Sequence, residues 1–131
     1  MTSKPGTLRS PLGRVRGLGS AKEGVHHWWQ QRLTAVALVP LSLWLIVSLL
    51  GLSGSAYADF AAWVQSPINA TLLILALAML FHHAQLGVQV VIEDYVADHA
   101  LRLVGVVAVK FACAALAVLC IVSVLVVAFK G

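Results

Sequence analysis

PINATLLILALAMLFHHAQLGVQVVIEDYV, residues 67–96, opens on a proline, runs apolar for several turns, and then admits histidine, glutamine and carboxylate. Its apolar part, roughly 67–92, exceeds the ~20 residues that carry a helix across a bilayer core. Working outward, two more runs of that kind appear, at about 33–52 and 101–129. None of the three alternates with period two, and an open sheet edge is not viable in lipid. The sequence therefore predicts an all-α membrane protein with three transmembrane helices and no soluble domain. Pro67 suits the first position of the second helix, and EDYVADHALR is short enough to make helices two and three antiparallel neighbours. Pro40 falls inside the first span, where neighbouring helices must satisfy the carbonyl it frees.

Composition agrees. Of 131 residues, 60% are hydrophobic and only 11% charged, whereas a soluble domain carries about 25% charge. The net charge of +4 does not point to nucleic acid, because of where it lies. Lys4, Arg9, Arg14, Arg16, Lys22 and Arg32 all precede or open the first span, and residues 51–66 hold no Lys or Arg. By the positive-inside rule the N-terminus is cytoplasmic and the C-terminus outside. Residues 1–22 read as a flexible basic cytoplasmic tail and 23–131 as the three-helix membrane unit. SAYAD, residues 55–59, holds an A-x-A pattern, but the apolar run before it is longer than a signal-peptide core, so no cleavage is expected. The acid-free leader only loosely resembles a transit peptide, and the compact chain points to a bacterial cell inner membrane, multi-pass, over a mitochondrial one. Trp28 and Trp29, and then Tyr57, Phe60 and Trp63, sit where amphipathic rings favour the lipid surface. Cys113 and Cys120 share one helix and are too far apart to bridge each other.

The chemistry gathers at one end. At ~1.5 Å per residue, His83 lies about 13 Å from Ile92, inside the apolar run. Imidazole at that depth faces a partner or a cofactor; the alternative is a plain hydrogen bond to a neighbouring helix. Adjacent His82 and His83 point about 100° apart, so one helix cannot aim both at one metal. His83 shares its face with Ala76, Met79, Leu80, Gly87, Val90 and Asp94, and Gly87 either clears room for a flat macrocycle or lets a helix approach. His82 shares a packing face with Ala78 and Leu86. His83 is the favoured ligand. Arg32, with His26 and His27 just before it, reaches the same membrane surface as Glu93, Asp94 and Tyr95. There it pairs with a propionate or with Asp94, or snorkels to lipid phosphate. Lys110 is expected to snorkel, and Asp98 and His99 to be turn residues.

These residues carry a family resemblance. HAQLGVQVVIEDYV followed by ALRL resembles helix two of the smaller hydrophobic membrane anchor of succinate dehydrogenase, whose pattern is H-A-x-x-G and then D-Y: here His83, Ala84, Gly87, Asp94 and Tyr95. GVHHWWQQRLTA is similar to that family's G-V-H…R-x-T-A element, at Gly24, Val25, His26, Arg32, Thr34 and Ala35. Together the two elements and the three-span plan cover most of the chain past residue 22. His82 and His27 have no trusted counterpart.

The resemblance implies a non-catalytic member of a succinate:ubiquinone oxidoreductase complex (complex II). Its partners are a second hydrophobic anchor subunit of the cytochrome b556 type, an iron–sulfur subunit, a flavoprotein subunit that oxidises the dicarboxylate, and membrane lipid. The implied cofactor is haem b, shared with the partner anchor, with ubiquinone as the bound substrate. His83 is then the axial ligand to the haem iron, Arg32 and His26 neighbour the propionates, and Tyr95 with Asp94 contributes to the ubiquinone site. The chain itself lacks a nucleotide-binding glycine loop and a Cys cluster for iron–sulfur. Two other readings compete: a haem-free scaffold for a soluble redox enzyme, and a small component of a transporter or channel. The channel reading needs polar residues along the whole span, and here they collect at one surface.

Overall fold

The computed structural model describes residues 10–15 and 22–130. These form α1 (Pro11–Val15), α2 (Lys22–Gly51), α3 (Tyr57–Gln65), α4 (Pro67–Tyr95) and α5 (His99–Phe129). α1 is a short helix headed by proline within the expected tail; the tail's remaining residues, 1–9 and 16–21, lie outside the described residues.

Local chemistry sets the boundaries. Pro67 opens α4, where its fixed φ suits a helix and its missing N–H is one that would go unpaired anyway. α4 ends as the Val96 N–H returns to the Ile92 carbonyl at 3.0 Å. Asp98 then caps α5, its Oδ1 accepting the Leu101 N–H at 2.8 Å, a structural task for a residue expected in a solvated turn. Between α2 and α3 the chain turns through Gly54 at φ +83°, a conformation that favours glycine. The Asp59 carboxylate accepts the Ala56 N–H at 3.1 Å and fixes the start of α3.

α4 is the middle of the bundle. It packs against α2 on one side and α5 on the other, while the backbones of α2 and α5 do not approach one another among the described residues. α3 lies against α4 and α5 and is locked down by aromatics. Trp63 stacks on Trp44 of α2 at 5.6 Å and on Phe60 at 6.2 Å, and the Asn69 amide donates to the Trp63 carbonyl at 2.9 Å. Val64, beside it, is 1% exposed.

Among the described residues almost nothing else apolar is buried: Leu41, Ala76 and Leu86 complete the buried hydrophobic set, whereas Leu33, Val36, Leu50, Leu101 and Phe111 are exposed. In water so large an apolar surface would drive association; in lipid it is at home. α2, α4 and α5 are each long and apolar enough to cross a membrane, as the sequence predicts. They also overshoot. α2 has 30 residues and α5 has 31, or about 45 Å each, against a hydrocarbon core of about 30 Å. In α2 the surplus lies at its start: the helix begins well before the apolar run at Leu33 and carries His26 to Arg32 as helix. That polar segment has no apolar period of its own; it is helical because it continues α2 alongside the equally polar end of α4.

Candidate functional site

The site begins where α2 meets α4. Thr34 is the one buried polar residue among those described, 6% exposed, and its Oγ1 lies 3.0 Å from Nδ1 of His83. The same Oγ1 is 2.8 Å from the Gln30 carbonyl and 3.0 Å from that of Gln31. One turn along, a Cβ built on Gly87 would meet only the Gln31 Nε2, at 3.6 Å. Gly87 thus faces α2 with room for a methyl group, and the Gln31 amide occupies the space that a flat ring was one candidate to fill. His83 itself is half-buried. No described side chain hydrogen-bonds its second nitrogen, Nε2.

Two grooves run along α4, one between it and α2 and one where α2, α4 and α5 meet. The first, ≈ 640 Å³, is lined by His27, Trp28, Gln31, Arg32, Gly87 and Glu93, among others. Arg32 stacks its guanidinium 5.1 Å above the Trp28 ring, and among the described residues no carboxylate pairs with it, Asp94 included. Two polar atoms are buried here without a hydrogen-bond partner, Nε2 of His27 and Oε1 of Gln31. Such orphans are costly unless something polar meets them.

The second groove, ≈ 390 Å³, is lined by His26, His27, Gln30, His82, Gln85 and Lys110, among others. His82 does share its face with Ala78 and Leu86, but that face is polar. From it a ladder descends α4: Gln85 donates to Gln89 at 3.3 Å, and Gln89 donates to Glu93 at 2.8 Å. Lys110 is exposed and unpaired among the described residues. Arg32 and His26 thus line different grooves, with His27 common to both. Tyr95 ends α4 at 84% exposure, and among the described residues its hydroxyl has no hydrogen-bond partner; Asp94 beside it is also exposed.

The arrangement suits a group that brings its own coordination sphere. Among the described residues no three His, Cys, Asp or Glu side chains converge to hold a bare metal ion. A haem asks for one imidazole per side, and His83 presents one with its far nitrogen tied down and its near nitrogen unused. An unpaired guanidinium and an orphaned imidazole nitrogen in the adjoining groove suit carboxylates. The residues present fit the group.

A family model for succinate dehydrogenase/fumarate reductase transmembrane subunits matches residues 6–128. The chain belongs to that family. Among similar proteins, the succinate dehydrogenase hydrophobic membrane anchor subunit of Rickettsia bellii is 41% identical over 103 residues, 79% of this chain and 82% of the relative. That of Rickettsia prowazekii is 35% identical over 122 residues, 93% and 94% of the two chains. That of Paracoccus denitrificans is 29% identical over 86 residues, 66% and 67%. In this succinate dehydrogenase membrane anchor, three site features give no signal by residue type alone. Thr34 is legible only as a letter of the R-x-T-A element, and its hydroxyl becomes notable once the register of α2 on α4 is known. His27 and Gln31 have no signal beyond polarity next to a span.

Proposed function

We propose that this membrane anchor, with a second anchor subunit, holds a b-type haem and contributes to ubiquinone reduction in a bacterial inner membrane, its N-terminus cytoplasmic. His83 is the axial ligand through Nε2. Arg32 and His27 stand in the adjoining groove to receive propionate charge, and His26 approaches from the second groove. A haem held between two imidazoles supplies one-electron storage without an open coordination position. Tyr95 offers a phenolic O–H to a quinone carbonyl, and Asp94 an adjacent carboxylate. Both are exposed in this chain, which leaves them open for partner subunits to complete the pocket. Electrons reach this end from an iron–sulfur subunit, and the dicarboxylate is oxidised on a flavoprotein subunit.

The observation that carries this reading is the engaged Nδ1 of His83 at the buried Thr34 hydroxyl, with Nε2 left without a partner. A histidine serving only as helix glue asks for no second ligand; a haem ligand needs this division of its two nitrogens. Polar residues concentrated at one end of the bundle also suit a surface redox site better than a pore. The test is His83→Leu, expressed with the other subunits. The bis-histidine haem spectrum of the purified complex is expected to disappear while the subunits still co-purify. An unaltered spectrum assigns the ligand elsewhere, and a wild-type complex that reduces quinone fully without haem leaves a plain scaffold.

A further inference from the structure

We propose that Thr34 is a positioning residue: it holds the His83 proton on Nδ1 and so makes Nε2 the iron-binding nitrogen. The inference rests on the haem reading above and follows from counting one hydrogen. A threonine hydroxyl has a single proton to donate and lone pairs to accept with. Thr34 Oγ1 has three close polar neighbours, the carbonyls of Gln30 and Gln31 at 2.8 and 3.0 Å and His83 Nδ1 at 3.0 Å. Both carbonyls only accept. Were the proton given to Nδ1, the hydroxyl oxygen would lie 2.8 Å from a carbonyl oxygen with no hydrogen between them. The proton therefore goes back to α2, the usual bond of a helical threonine to the preceding turn. The lone pair left on Oγ1 then accepts from Nδ1–H.

Several consequences follow for this chain. With Nδ1 protonated, neutral His83 has its basic lone pair on Nε2. The ring is oriented by α2 before any cofactor arrives, and at 6% exposure of Thr34 water does not compete for the bond. The acceptor is a neutral hydroxyl, itself polarised by donating to a carbonyl. It strengthens the imidazole as a donor to iron without drawing the proton away as a carboxylate does.

The experiment uses the complete complex carrying Thr34→Val, nearly the same shape without the hydroxyl, and Thr34→Ser, which keeps the hydroxyl. Haem retained per complex and the haem midpoint potential are read in both. Thr34→Val is expected to shift the potential upward, because a less basic ligand favours ferrous iron, and to weaken haem retention by roughly 10-fold, the lower end of what losing such an outer partner costs. Thr34→Ser is expected to match wild type. Thr34→Ala, which adds no bulk, is expected to repeat the valine result and replaces it if valine blocks assembly. A wild-type potential and retention in the hydroxyl-free variants overturn the proposal. So does an equal disturbance in Thr34→Ser, which assigns Thr34 to packing alone. A wild-type complex without haem removes the proposed function itself, and that is seen before any variant is made.

Discussion

Gly87 separates two uses of a glycine on the face of His83, and substitution there has a graded outcome. An added Cβ meets only the Gln31 Nε2, at 3.6 Å, the far end of a flexible side chain at ordinary contact distance. Gly87→Ala therefore fits without moving α2, and relief of glycine's backbone entropy favours the helix by up to about 1 kcal/mol. Gly87→Leu is different. Its isobutyl branch claims the space of the Gln31 amide, an overpacking worth about 1–3 kcal/mol, and because the longer side chain reaches past the amide toward the α2 backbone, swinging Gln31 aside does not make room and α2 lifts from α4. The Thr34–His83 pair lies one turn away at 3.0 Å. A displacement of only about 0.6 Å stretches it to ~3.6 Å, where it is no longer a hydrogen bond. The alanine complex is thus expected to keep its haem spectrum and potential, with unchanged or slightly raised thermal stability. The leucine complex is expected to show the haem shifts of a missing Thr34 hydroxyl. Haem content and potential of the purified complexes, alongside a melting curve, read both outcomes. Haem loss in the alanine variant refutes the reasoning, because Gly87 then touches the cofactor and not α2. An unaltered spectrum in the leucine variant refutes it from the other side, since the α2–α4 approach would then have no hold on the His83 ring.

Two further substitutions probe the two ends of the bundle. Among the described residues the Tyr95 hydroxyl has no hydrogen-bond partner and the residue is 84% exposed, so Tyr95→Phe is expected to change stability by less than about 0.5 kcal/mol. Quinone reduction should fall while dye-linked succinate oxidation stays at wild-type rate; equal loss of both activities argues against a quinone role. Trp63→Ala removes the ring contacts with Trp44 and Phe60, worth about 0.5–1.5 kcal/mol each. Limited proteolysis is expected to cut more readily across residues 51–66 with the haem spectrum intact, and unchanged protection would mean that the aromatics do not hold α3.

What the amino-acid pattern reveals here follows from which forces act along the chain and which act across it. The spans are legible because lipid imposes its length on every helix separately. Pro67 marks a helix start by local backbone chemistry; Asp98 does the same, but in a short polar turn its carboxylate reads equally well as solvated. The face of His83 is legible as well, since helical periodicity fixes which neighbours share it. The pairing of Thr34 with His83 is not, because it depends on how far α2 slides along α4, and that register is set by contacts such as Gln31 over Gly87. The same holds for Arg32. Charge alone offers Asp94, a propionate or lipid phosphate as its partner, while within the chain the guanidinium lies on Trp28, a neighbour one turn back whose ring reads from sequence only as an interfacial anchor.

The histidine doublet draws its logic from the place of α4. A helix with one neighbour would have to send one of two adjacent imidazoles into lipid, at considerable cost. α4 has α2 and α5 on its flanks and two grooves along it, so side chains about 100° apart both find polar surroundings. His83 meets Thr34, and His82 joins Gln85 and Lys110. Each solution requires the other helix to carry matching polarity at the same level. Arg32 on α2 stands just before that helix's apolar run, and Lys110 interrupts the apolar run of α5 where it faces His82. The polar end of the bundle is thus a single feature distributed over three segments far apart in the chain. A redox group held there, as proposed, would lie near the edge of the hydrocarbon, within reach of protons from the aqueous side and of an apolar quinone arriving through lipid.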